Sequence, residues 1–268
     1  MNHHILRPYL PEEPDLVSLA QVAQQREPKP DGKKDPPVNP PLISPVVPIT
    51  SKNSAEFWSI DGVSYRGNFY TVDLGKKLLD DGNSHTQDEW AIRAKEEMPK
   101  GELYTPDYPL FYGIVKSAKV AGLEDVRTFL KDTSRAKWLM TLTRIQYAPK
   151  GKDTLIHNYG TNDVYQTHAD FIGKDDLIKN TLCTQAYQAL LGTSDSIQEI
   201  NSLFQWLNET DTYIFRVNAR PKKNIDERVA WFDAYSAGAG LYCDGDPSGS
   251  YSSLGVRLCK KISGGNLP

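Results

Sequence analysis

Eleven of the 18 prolines in this 268-residue chain fall within its first 50 positions, at 8, 11, 14, 28, 30, 36, 37, 40, 41, 45 and 48. Proline locks φ and removes a backbone donor, so no long helix or central strand can run through such a stretch. Leu16 to Gln25 leaves room for one short helix behind Pro14 and Asp15. Pro36 to Pro48 reads as extended, polyproline-like chain. Residues 1–53 are therefore expected to be a Pro-rich N-terminal segment, either a disordered leader or an arm laid on the domain or a neighbouring subunit. The packed domain must come from residues 54–268. With 39% hydrophobic content, a chain of this length can build a real core.

Beyond the proline segment, the periodicities predict a mixture of helices and strands. Phe57 to Ile60 and Val63 to Tyr65 flank Asp61-Gly62, a two-residue hairpin signal. Thr86 and Glu89 stand at capping-box spacing, opening a helix with Trp90, Ala91 and Ala94 on one face. Leu110, Phe111, Ile114, Val115 and Ala118 make one helical stripe, and Leu123, Val126, Phe129 and Leu130 a second, joined near Gly122. Trp138 to Tyr147 alternates like a strand, and Thr154 to Tyr159 makes another. Ile197, Ile200, Leu203, Phe204 and Leu207 line a further helix, with Ser196 and Glu199 as its capping box. Tyr213 to Val217, Glu227 to Ala234 and Ser253 to Lys260 close the chain as strands. The expected order is helices first, then antiparallel strands, with a long loop-rich stretch between the last two: an α+β arrangement.

Charge and composition exclude several classes. A net charge of -3 and a pI near 6.0 leave no electrostatic footprint for nucleic acid. No apolar run approaches the roughly 18 residues of a transmembrane helix. The first residues, MNHHILRPYLPEEPD, lack the pattern of a secretory signal. Three cysteines without metal spacing suit a reducing compartment. Cytoplasmic residence is the expectation.

Catalytic motifs are thin. No Walker loop, G-x-G-x-x-G, G-x-S-x-G or C-x-x-C occurs. Cys183 with His157 or His168 would make a nucleophile and base, but TLCTQAY carries no signature of such a site. The ordinary alternatives are a buried free thiol and a satisfied histidine ending a strand. Asp244-Gly-Asp246-Pro-Ser248-Gly249 resembles the opening of a calcium loop. The twelfth position, which should bring a bidentate Glu, is Gly255, so no metal is expected.

The most unusual composition lies near the C-terminus. Trp231 to Gly255, WFDAYSAGAGLYCDGDPSGSYSSLG, contains no Lys, Arg or Glu in 25 residues, within a chain that is 24% charged. Tyr, Ser, Gly and Asp fill most of it. That palette serves binding surfaces of the antibody kind, where Tyr and Trp give stiff contact area and Ser, Gly and Asp adapt their hydrogen bonding. Alternation assigns Phe232 and Ala234 to one face and Trp231, Asp233 and Tyr235 to the other. The first pair suits a core, the second an exposed recognition face.

This stretch resembles the variable region of archaeal diversity-generating-retroelement variable proteins, which carry a C-type lectin fold. The family's frame is matched by Phe232, Ala234, Ser236, Ala239-Gly240-Leu241, Cys243, Pro247, Ser250 and Ser252 to Arg257. Weaker likeness extends upstream through Thr86 to Trp90, Leu103 to Pro109, Leu142 to Ile145 and His157 to Thr161, and covers roughly residues 55–260. The resemblance implies a C-type lectin-like domain over 54–268 with a variable region at about 231–257. It also implies a reverse transcriptase that rewrites the gene's 3′ end at adenines. Asn codons can then become Asp, Tyr, Ser, Gly or Ala but not Lys or Glu, which accounts for the missing Lys and Glu. An Arg codon beginning with A could give Trp231.

The implied function is non-covalent ligand binding, to a protein or other surface ligand, without a cofactor. The implied contacts are Trp231, Asp233, Tyr235, Ala237, Gly238, Tyr242, Asp244, Gly245, Asp246, Ser248, Gly249 and Tyr251. Their side chains are expected to be mostly exposed on one surface, over buried Phe232, Leu241, Leu254, Val256 and Leu258. The sugar-binding triplets Glu-Pro-Asn, Gln-Pro-Asp and Trp-Asn-Asp are missing, so calcium-dependent sugar binding is not expected. The competing reading is an enzyme: formylglycine-generating-type oxidases share the fold and use a cysteine pair, for which Cys243 and Cys259 would be the candidates.

Overall fold

The structure, a computed structural model, describes residues 51–180 and 184–262, with side chains from Ser54 onward. The chain divides into two units, Met1–Ser44 and Pro45–Pro268, and every described residue belongs to the second. The arm or leader expected for residues 1–50 and the thiol of Cys183 lie outside the described residues. Ser51–Asn53, assigned from sequence to the Pro-rich segment, instead form strand β1, paired with β2.

Strands come first, not helices. β2 (Phe57–Tyr65) and β3 (Asn68–Leu78) form a hairpin ahead of β4 (His85–Thr86) and α1 (Gln87–Glu97). β3 escaped detection because Val72, Asp73, Leu74 and Gly75 are all buried, so no period-2 pattern marks it. The hairpin turn was also misplaced. β2 runs straight through Asp61-Gly62, where the register slips between Ile60 and Val63. The reversal falls at Arg66-Gly67, whose φ angles of 50° and 72° match a tight turn with both central residues left-handed.

Then follow α2 (Tyr108–Ala121), α3 (Glu124–Ala136), β5 (Leu139–Tyr147), β6 (Asp153–His157), β7 (Tyr165–Ala169), β8 (Asp176–Leu177), α4 (Thr184–Leu191) and α5 (Ile197–Asn208). The chain continues into β9 (Thr212–Phe215), β10 (Asp226–Tyr235), β11 (Gly238–Gly245), β12 (Ser250–Tyr251) and β13 (Leu254–Ile262). Both expected capping boxes are present, at Thr86 with Glu89 and at Ser196 with Glu199. Gly122 ends α2 in the left-handed region, at φ 63°.

The strands make sheets of four (β1-β2-β3-β13), seven (β7-β6-β5-β10-β11-β9-β8) and two (β12-β4). Every pairing is antiparallel except β11 with β9. The architecture is α+β. The loop-rich stretch expected between Ala234 and Ser253 instead holds β11 and β12: β10 turns at Ser236-Ala237 into β11, with Trp231 opposite Tyr242 and Asp233 opposite Gly240. Its glycines, read as loop, serve close packing within the sheet at Gly240 and Gly245.

α2 is buried almost all round, with Tyr108, Leu110, Phe111, Tyr112, Ile114, Val115 and Ala118 each 5% exposed or less. It lies against β2 on one side and the seven-stranded sheet on the other. At the first contact a Cβ on Gly113 would sit 2.4 Å from the Ser64 carbonyl oxygen, so only glycine allows this approach. At the second, Phe111 packs 5.3 Å from Phe232, which also meets Phe204 of α5 at 5.8 Å. The expected core residues Phe232, Leu241, Leu254 and Val256 are buried; Leu258 is half-buried.

Candidate functional site

Because Phe232 points to the helices, its neighbours Trp231, Asp233 and Tyr235 point to the opposite face of the sheet. There the register builds a row of rings. Trp231 on β10 pairs with Tyr242 on β11, and Tyr242 with Phe215 on β9. The Trp231 and Tyr242 rings stack at 3.7 Å with 5° between planes, and Tyr242 and Phe215 at 4.3 Å with 8°. Trp138, just before β5, stacks on Trp231 at 5.0 Å. Tyr251 of β12 lies 5.2 Å from Trp231 and 5.3 Å from Trp138. Each such pair adds about 0.5–1.5 kcal/mol beyond its area burial.

Glycines make this possible. A Cβ on Gly240 would meet Tyr242 Cε2 at 2.1 Å, and one on Gly245 would meet the Trp231 indole at 2.9 Å. The rings therefore lean over these glycines and stack face to face across the three strands. Gly249 lies close beneath the Tyr251 hydroxyl, and Gly238 beside the Tyr235 ring.

Tyr251 is held from behind by α1. The Trp90 indole N–H donates to the Tyr251 carbonyl at 2.9 Å. α1 is in turn fixed to β5 by Gln87, whose Nε2 donates to the carbonyls of Thr141 and Thr143, and by Arg144, which donates to Gln87 Oε1 and Asp88. The Met140 amide donates to the Ser252 carbonyl, seating the β12 segment beside Trp138. A cleft of about 200 Å³ opens at this edge, lined by Ser84, Lys137, Trp138, Ser250, Tyr251 and Ser252.

The expected contact residues thus share one face, but not as exposed side chains throughout. Tyr235 is 42% exposed, and Ala237, Asp246 and Ser248 are exposed. Tyr242, Asp244, Gly249 and Tyr251 are half-buried. Trp231 and Asp233 are each only 7% exposed, and Gly238 and Gly245 are buried, which corrects the expectation for these four. The cause is the self-stacking of the rings, which cover the strands beneath them. Sequence reasoning also missed Trp138, 51% exposed at the edge of the row, together with Tyr213 and Phe215. The signal was available: Trp138 alternates away from Leu139, and Tyr213 and Phe215 share one face of their strand.

Burial leaves polar atoms without partners. The Trp231 Nε1 donor and the Asp233 Oδ1 acceptor have none. The Tyr242 hydroxyl reaches Asp233 and Tyr235. Desolvation pushes the Asp233 carboxyl up to about 6 and raises that of Asp244. Asp246 is held low by the Ser248 amide and hydroxyl, which donate to its Oδ1 at 2.8 and 2.7 Å. Among the described residues no three His, Cys, Asp or Glu side chains converge as a metal site.

The other candidates stand apart. Cys243 is fully buried in β11 of the seven-stranded sheet, its thiol pushed well up by burial, while Cys259 is exposed on β13 of the four-stranded sheet. Both are free thiols, and the fold does not bring them together as a pair. His157 is buried between the Thr143 and Thr167 hydroxyls, and burial pushes its imidazole down to about 4. It is a satisfied core histidine. No helix among the described residues is long and apolar enough to cross a membrane. Compared with protein-family models, curated proteins and solved structures, the chain matches none of them.

Proposed function

We propose that the chain is a non-covalent binding protein of C-type lectin-like fold, whose partner docks on the aromatic face of β9, β10 and β11, and that this face is the diversified region its sequence resembles. The observation that carries the reading is the continuous row Trp138, Trp231, Tyr242 and Phe215, with Tyr251 and exposed Tyr235 beside it. Aromatic residues dominate the energy of protein interfaces, and stiff rings lose little entropy on binding. A row that is already stacked is preorganised for that role. The α+β architecture is compatible with the lectin-like fold.

Photo-crosslinking tests the binding. A benzoylphenylalanine placed at Tyr235 should capture one discrete partner in the native host, and excess wild-type protein should suppress the capture. The same group at Val120, 69% exposed on α2, should not capture it. Equal capture at both positions would refute the reading. Sequencing the gene across a population tests diversification: substitutions should concentrate in codons 231–251 and arise at adenines.

A further inference from the structure

We propose that the aromatic face recognises a cationic side chain of its protein partner, an arginine guanidinium above all, with Asp233 as the counter-charge. This rests on the binding reading above and gives the partner its chemistry. Three carboxylates, Asp233, Asp244 and Asp246, belong to this hairpin and the turn after it. Among the described residues none of the three takes part in an ion pair. Arg228, which acts electrostatically on Asp244 and Asp246, is itself held by Asp226 through Nε at 2.9 Å and Nη2 at 3.0 Å. From Trp231 to Gly255 the chain supplies no Lys or Arg of its own.

Asp233 gives the independent observation. It is only 7% exposed, and its Oδ1 has no hydrogen-bond partner. A buried polar atom left unmatched is costly, and a buried carboxylate without a counter-ion more so. Two residues away on the same face, the Trp231 Nε1 donor is equally unmatched, in a side chain also 7% exposed. The two residues stand about 7 Å apart along β10 by strand geometry, each with an unmatched polar atom beside the ring row.

A guanidinium meets these demands together. Its plane stacks on an aromatic face, its edge donates to a carboxylate, and it sheds water more readily than an ammonium. An anion would meet three carboxylates, and a quaternary ammonium has no N–H for Asp233 Oδ1.

Two short peptides test the assignment on the full chain: acetyl-Gly-Arg-Gly-amide, and its counterpart with citrulline, the neutral isostere of arginine. The readout is the indole N–H resonance of Trp231, assigned by its loss in Trp231→Phe. The arginine peptide should shift it with an affinity about tenfold tighter than the citrulline peptide. Asp233→Asn should abolish that preference. Equal affinities, or no shift with either peptide, would overturn the proposal; both titrations are made on wild-type protein, so the outcome does not depend on how well Asp233→Asn folds. If Tyr235 captures a partner while the two peptides bind alike, cation recognition alone fails. If Tyr235 captures nothing, the binding reading itself fails.

Discussion

At Gly240 a single hydrogen atom decides whether the ring row exists. The Tyr242 ring occupies the space where a Cβ would stand, at 2.1 Å, and Phe215 closes the other side at 2.9 Å. Gly240→Ala should therefore force Tyr242 off its stack and destabilise the chain by about 1–3 kcal/mol, the usual range for overpacking. Loss of near-ultraviolet circular dichroism from the stacked rings reads the first effect, and denaturant unfolding reads the second. Asp233 makes a second residue-scale case. Its carboxyl is raised from 3.8 to about 6 by burial. Between those values the native chain keeps a proton that the unfolded chain releases, so this contribution favours folding below pH 3.8 and is lost as pH rises through 6. Asn cannot titrate. The melting temperature of Asp233→Asn relative to wild type should accordingly rise between pH 4 and pH 7. His157 works in the opposite direction, since burial lowers it from 6.5 to about 4, but it is common to both proteins and cancels. A gap that stays constant with pH would show that Asp233 is not the desolvated group described here.

At the scale of elements, α2 sets propensity against packing. In an exposed helix, Gly→Ala gains about 1 kcal/mol. At Gly113 the added methyl would stand 2.4 Å from the Ser64 carbonyl oxygen, a backbone atom that cannot swing away. Gly113→Ala should thus destabilise the protein, by about 1–3 kcal/mol, and separate α2 from β2. A stabilised variant would contradict the placement of this helix. The helices themselves were legible in the sequence because caps and stripes are local: Thr86 with Glu89, Ser196 with Glu199, and Gly122 each specify a boundary without reference to anything distant. The strands were less so. β3 is buried on both faces through Val72 to Gly75, which erases alternation, and β11 spells its pairing in glycines that look like loop. Asp61-Gly62 is a good turn dipeptide, yet pairing with β3 carries β2 past it. The candidate face was visible as a composition and as the alternation of Trp231 and Phe232. Its burial was not, because stacking with Trp138, Tyr251 and Phe215 joins residues 138 to 251, separated by most of the domain.

For the molecule as a whole, the core lies on one face of the seven-stranded sheet and the proposed recognition surface on the other. Phe232→Ala removes a ring fully buried between Phe111 and Phe204 and should cost about 3–5 kcal/mol. Trp231 belongs to both faces' business: only 7% exposed and stacked on three rings, its loss should lower stability as well as binding. Trp138 and Tyr235, 51% and 42% exposed, separate the two roles. The most direct measurement combines Trp138→Ser with the Tyr235 photo-crosslinker and records thermal unfolding beside partner capture. Melting should stay within a few degrees of the parent while captured partner is strongly reduced, since exposed positions contribute little to folding and aromatic anchors dominate interfaces. Undiminished capture with melting unchanged would show that the ring row is not a binding surface, and collapse of the fold comparable to Phe232→Ala would show that it is core.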